Sequence, residues 1–207
     1  VRAAAVLAAA MSLVVAAAVP AQAATVTLTS GHVDVLDVDY TAGALVLSVN
    51  DDVAERNPAD VVFQVPAAAK ITVPAGSAWS FLGMPGSTAW VLPQSNTSGL
   101  LWAGWNTAEV PAGVFQSNSV TFRLTSFTGP GHVSVYTVSA GTPTRMFDSS
   151  DGLPDTRTVT YNAHTHANWG FTAAGTYTLN FEVTGKLIST GATVTTGVKA
   201  FTFTVLP

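Results

Sequence analysis

The chain has 207 residues, no cysteine, and eight basic against twelve acidic residues for a net charge of −4. No cluster of Lys and Arg occurs, which argues against nucleic acid or anionic lipid as a partner, because affinity for phosphates rests on grouped cations. The lack of thiols removes thiol catalysis, Fe–S ligation and cysteine-type zinc sites. Any transition-metal site must therefore use His, Asp, Glu or Asn.

Residues 1–23 read as a secretory signal peptide, with Arg2 as the charged start, an apolar run from Ala3 to Val19 and a small-residue exit at Ala21-Gln22-Ala23. Export would leave residues 24–207 as one domain, secreted or at the extracellular cell surface, with no membrane insertion after cleavage.

From there on, short runs rich in Val, Thr, Phe and Tyr alternate with Gly, Pro, Asn and Asp, and no segment keeps a 3.6-residue apolar period for three turns. The expected fold class is all-β, an antiparallel β-sandwich of Ig-like or jelly-roll-like type with long Trp-bearing loops. Strands are expected at "ATVTLTSGHVDVLDVDY", "GALVLSVND", "VVFQV", "KITV" and "AWVLP" in the first half. In the second half they are expected at "SVTFRLTSFTG", "HVSVYTV", "TRMFD", "RTVTYNAH", "GTYTLNFEVTGKLI" and "VKAFTFTVL". "DYTAGAL" and "STGATV" read as hairpin turns. Alternation is clearest near the end, where Tyr177, Leu179, Phe181 and Val183 share a core face and Thr178, Asn180, Glu182 and Thr184 share a solvent face. The stretch from Pro74 to Ala112 holds Trp79, Trp90, Trp102 and Trp105 and reads as long loops over the sandwich.

The four histidines fall in two settings. His164 and His166 form H-x-H; in a strand they would project from one face about 6–7 Å apart, close enough to share an ion. The pair is equally compatible with a polar turn. His32 and His132 each follow a glycine at a strand start, in the echoing segments "GHVDV" and "GHVSV", and Asp34 shares the face of His32. If these strands converge, His32, His132, His164, His166 and Asp34 form a site for Zn²⁺ or another divalent transition ion. Asn168, on the parity of the H-x-H pair, would orient an imidazole from outside the ligand shell, unless it is a turn residue before Trp169.

Other features are weaker. Asp148, Asp151 and Asp155 in "MFDSSDGLPD" resemble a calcium loop, but the EF-hand spacing is not met and a solvated turn is expected. No nucleophile elbow, H-E-x-x-H, P-loop or dinucleotide fingerprint occurs, so no catalytic residue is nominated and the protein is expected not to be an enzyme. Trp102 and Trp105 leave open a glycan platform, beside the reading of buried tryptophans.

"SGHVDVLDVDYTAGALVLSVNDD", "LLWAGWNTAEVPAGVF", "FTGPGHVSVY" and above all "HTHANWGFTAAGTYTLNFEV" resemble the actinobacterial surface-anchored protein domain, also called the choice-of-anchor M domain, over essentially the whole of residues 24–207. The resemblance implies a cell-surface or secreted protein that acts beside substrate-binding components of metal-type ABC transporters. Its motifs fall on His32, Asp34, His164, His166, Asn168 and Trp169; the position of His132 is variable in the family. The chain ends at "AFTFTVLP" without a sorting signal, which reads as a freely secreted or partner-held form, or as a piece of a longer chain. The expectation is thus a surface protein that binds a divalent metal, zinc favoured, and works with an ABC transporter substrate-binding protein or a cell-wall component. The alternative is a non-catalytic module binding glycan or protein through its tryptophans, with structural histidines.

Overall fold

The computed structural model describes residues 24–207. The expected signal peptide lies outside the described residues. Among the described residues seventeen strands follow one another. The first six are β1 (Val26–Leu28), β2 (Gly31–Thr41), β3 (Ala44–Asn50), β4 (Glu55–Arg56), β5 (Val61–Val65) and β6 (Lys70–Thr72). Then come β7 (Thr88–Leu92), β8 (Leu101–Asn106), β9 (Ser119–Thr128), β10 (Val133–Ser139), β11 (Thr142–Asp148) and β12 (Asp155–Thr160). The last five are β13 (His164–His166), β14 (Asn168–Phe171), β15 (Gly175–Lys186), β16 (Thr193–Thr195) and β17 (Lys199–Val205).

They build three sheets. One runs β1-β5-β17-β15-β9-β12 with β16 added beside β15, the second β11-β10-β14-β7-β6, and the third β13-β8-β2-β3-β4. The fold is all-β and sandwich-like. Most pairings are antiparallel, and β1–β5, β5–β17 and β2–β8 are parallel. One contiguous apolar core draws on all three sheets, including Val33, Leu36, Phe63, Trp169, Phe181 and Phe203. Trp169 of β14 stacks on Phe203 of β17 at 5.4 Å and meets Phe181 of β15 edge-on at 6.3 Å, so the large sheet is clamped to its neighbour by aromatic contacts. Truncating the fully buried Trp169 to Ala would cost about 3–5 kcal/mol on the usual scale for such a cavity.

Local sequence explains the elements. Alternation in β15 places Tyr177, Leu179, Phe181 and Val183 fully inside. Ala42 and Gly43, both at positive φ, turn β2 into β3. The middle of the chain is more regular than its loop-like composition suggests. Trp90 sits on β7, Trp102 and Trp105 on β8, and both strands are interior members of their sheets.

Strand β2 carries the feature that matters for the site. Its pairing slips between Asp34 and Asp37 on one side and between Asp34 and Leu36 on the other, which marks a bulge at Val35-Leu36. Val33, Val35, Leu36 and Val38 are all fully buried in the core. The extra residue resets the parity, so His32, Asp34 and Asp37 share the face opposite the core.

Candidate metal centre

The outer face of β13-β8-β2 holds the site. Register fixes it: His32 lies opposite Trp102, Asp34 opposite Gly104, and Asp37 opposite Asn106 across β2 and β8, while His166 lies opposite Gly104 and His164 opposite Asn106 across β8 and β13. Gly104 thus separates Asp34 from His166 with no side chain of its own. A Cβ there would collide with the Thr165 carbonyl oxygen and come within 2.8 Å of His166 Nδ1. The glycine is a space for the imidazole.

His32, Asp34, His164 and His166 each offer a ligand atom, and these atoms all lie within 4.8 Å of one another. His32 Nε2 is 3.1 Å from His164 Nε2, and Asp34 Oδ1 is 3.0 Å from His164 Nε2 and 3.7 Å from His32 Nε2. Two ligands on one tetrahedral Zn²⁺ with bonds of about 2.0–2.1 Å stand about 3.3 Å apart. The three imidazole centroids form a nearly equilateral triangle with sides of 5.2, 5.0 and 5.1 Å. Rings bound end-on to a common tetrahedral ion would have centroids about 5.2 Å apart. The residues present fit a four-coordinate N₃O ion.

Polar satisfaction points the same way. Asp34 Oδ1 and both ring nitrogens of His166 are buried without an aligned hydrogen-bond partner. Orphaned polar atoms of this kind carry a desolvation penalty that a cation on the Asp34 oxygen and on the one His166 nitrogen that bears a lone pair would offset in part. Burial, followed by the His164 and His32 charges that oppose it, leaves the Asp34 pKa raised. Burial together with the neighbouring His32 and His164 pushes His166 down to about 4, so its imidazole is neutral and free to ligate at neutral pH.

Two supports surround the group. His32 Nδ1–H donates to Asp52 Oδ1 at 2.9 Å, which fixes the tautomer with the Nε2 lone pair facing the site. Asp52 sits at φ +63 in a loop braced by Asp51, which accepts from the Val53 and Ala54 amides and from Arg56 Nε. Trp102 stacks flat on His166 with centroids 3.6 Å apart and planes 16° apart, and its own Nε1–H donates to the Gln94 carbonyl at 2.8 Å.

The remaining nominated residues fall elsewhere. His132 is outside the cluster: it precedes β10 in the second sheet, its backbone N–H donates to Thr172 Oγ1, and its ring faces Phe127 at 6.5 Å. The Gly-His-Val echo marks two strand starts that lie in different sheets. Asn168 does not touch an imidazole, because the chain changes sheets at Ala167, between β13 and β14, and strand parity ends there. Its side chain instead pairs with Gln94, accepting from the Gln94 amide at 3.0 Å and donating to Gln94 Oε1 at 2.9 Å. It therefore acts at a distance, by holding the residue that holds Trp102.

The aspartates of the "MFDSSDGLPD" turn are engaged by the protein itself. Arg145 donates to Asp148 and Asp151, and the Asp148 amide donates to Asp155. Burial works to raise the Asp148 pKa, but hydrogen bonds from Ser150, Arg145 and Ser134 hold it below the usual value. Of the tryptophans proposed as a glycan platform, Trp105 is buried and Trp102 is covered on one face by His166.

Sequence reasoning missed Gly104, Trp102 as a wall of the site, and Asp52. Gly104 inside a strand pattern is a signal for close approach that "WAGWN" did contain. Nothing in the sequence marks Asp52 among its acidic neighbours. No family model matches the chain, and neither the curated proteins nor the solved structures contain a match to it.

Proposed function

We propose that the protein binds one divalent metal ion, with zinc favoured, through His32, His164, His166 and Asp34. The observation that carries this reading is the convergence of three imidazoles and one buried carboxylate, whose Oδ1 has no aligned hydrogen bond, at separations suited to one tetrahedral ion. With no thiolate in the set, nitrogen and oxygen donors favour zinc over the softer Cu(I). Three neutral imidazoles, Asp34 and a divalent ion carry a net charge of +1, which Asp52 on His32 brings to zero.

Asp34 fills the fourth position, so the set serves binding and carriage of the ion better than catalysis on it, since catalytic zinc keeps a position open. Among the described residues no helix is long and apolar enough to cross a membrane. A site that opens to solvent at His164, on a secreted or cell-surface domain, suits a receptor that passes metal to an ABC transporter substrate-binding protein. This placement rests on the leader-like first residues and on the family resemblance. The buried Trp105 and the stacked Trp102 speak against the glycan platform.

Isothermal titration of the purified protein with Zn²⁺ tests the reading. One ion per chain is expected, with uptake abolished by His164→Ala combined with His166→Ala. Absence of uptake by the wild-type protein at micromolar zinc would sink the proposal.

A further inference from the structure

The four ligands are not held alike. Asp34 is on an interior strand with its side chain 4 % exposed, and His32, 16 % exposed, is tied to Asp52. His166 is pressed between the Trp102 ring and the strand at Gly104, with both nitrogens buried. His164 differs from all three. Its side chain is 50 % exposed, it stands on the three-residue edge strand β13, and among the described residues the polar atoms that its ring nitrogens meet belong to the cluster itself.

The backbone beneath His164 is nevertheless fixed. The Thr107 amide donates to the Ala163 carbonyl at 2.8 Å, and the Ala163 amide donates to Thr107 Oγ1 at 2.9 Å. Rotation of the His164 side chain toward solvent therefore breaks no hydrogen bond except those within the cluster. Moving any other ligand would require unstacking Trp102, leaving Asp52, or opening an interior strand.

Resting on the metal reading above, we propose that His164 is the exchangeable arm of the site, and that hand-over of the ion begins when an incoming imidazole nitrogen takes its place. The bond from the metal to His164 Nε2 breaks as the bond to the incoming nitrogen forms, with no change in the oxidation state of the metal. His32, Asp34 and His166 hold the ion through this first exchange, and their bonds break only as further donors of the partner replace them in turn. The partner this implies presents a histidine at its own surface, able to approach the open side of β13.

Free imidazole stands in for that partner in the test, and Co²⁺ serves as the spectroscopic probe. His164→Gly is expected to keep one ion per chain at an affinity lower by more than about 100-fold, since losing a direct ligand costs more than the 10–100-fold typical of an outer partner. Millimolar imidazole should restore its affinity and the intensity of the four-coordinate cobalt bands. His166→Gly should gain nothing from imidazole, because Trp102 and the β8 backbone close over its place, and circular dichroism of both variants checks that the fold persists. Equal rescue of the two variants, or complete loss of metal in His164→Gly, would overturn the proposal while leaving wild-type binding intact. Failure of the wild-type protein to bind would overturn the metal reading itself.

Discussion

The segments "GHVDV" at 31–35 and "GHVSV" at 131–135 share a pattern and have opposite fates. In the first, His32 joins two further imidazoles, and Asp34 has an oxygen with no aligned partner. In the second, Ser134 occupies the place corresponding to Asp34 and donates to Asp148 at 3.1 Å, whose other oxygen is taken by Arg145 at 2.7 Å. Each strand start comes with a buried carboxylate, but only one carboxylate has been neutralised from within the protein. A histidine and a carboxylate on one strand make a site only when neighbouring strands bring further donors and withhold a cation of their own.

The largest effect expected from this contrast separates the two histidines. His32→Ala should weaken zinc binding by more than about 100-fold, beyond the 10–100-fold typical of losing an outer partner. His132→Ala should leave the titration curve unchanged, and a comparable loss in both would break the distinction. A smaller effect is expected at the support. Asp52→Ala should weaken zinc by about 10–100-fold, through loss of the tautomer lock on His32, without altering the stoichiometry.

The last effect concerns stability rather than affinity and lies beside the site. Burial, then Glu109 and Asp34, raises Asp37 to about 7, while Asn106 donates to its Oδ1 at 3.0 Å. A carboxyl whose pKa is higher folded than unfolded stabilises the fold at low pH. That contribution is complete below about pH 4 and is lost as the pH climbs toward 7. Asp37→Asn keeps the acceptor for Asn106 and removes the ionisation, so it should stabilise the metal-free protein by about 2 kcal/mol at pH 8 and by little at pH 4. Thermal melts at the two pH values measure this, and equal shifts at both would show that Asp37 is not held protonated.

How far the sequence could be read follows from the reach of strand periodicity. Period two placed Tyr177, Leu179, Phe181 and Val183 inside, and it put His32 with Asp34 and His164 with His166, because each set lies within one uninterrupted stretch of strand. The same rule misplaced Asn168, since Ala167 carries the chain from one sheet to another. It also does not show that Asp37 joins the face of Asp34, which depends on the bulge at Val35-Leu36. The rest of the site is a matter of neighbours. Gly104 matters because β8 runs between β2 and β13, and Trp102 matters because its ring reaches His166. Strand order of this kind has no local signature, and a segment as rich in Gly and Trp as "LLWAGWN" resembles a loop until its partners are known.

X-ray absorption at the zinc edge of the zinc-loaded protein tests the central claim most directly. Three imidazole nitrogens and one carboxylate oxygen at about 2.0–2.1 Å, with the outer scattering of three imidazole rings, are the expected result. A shell of six oxygens, or one containing fewer than two imidazoles, would contradict it.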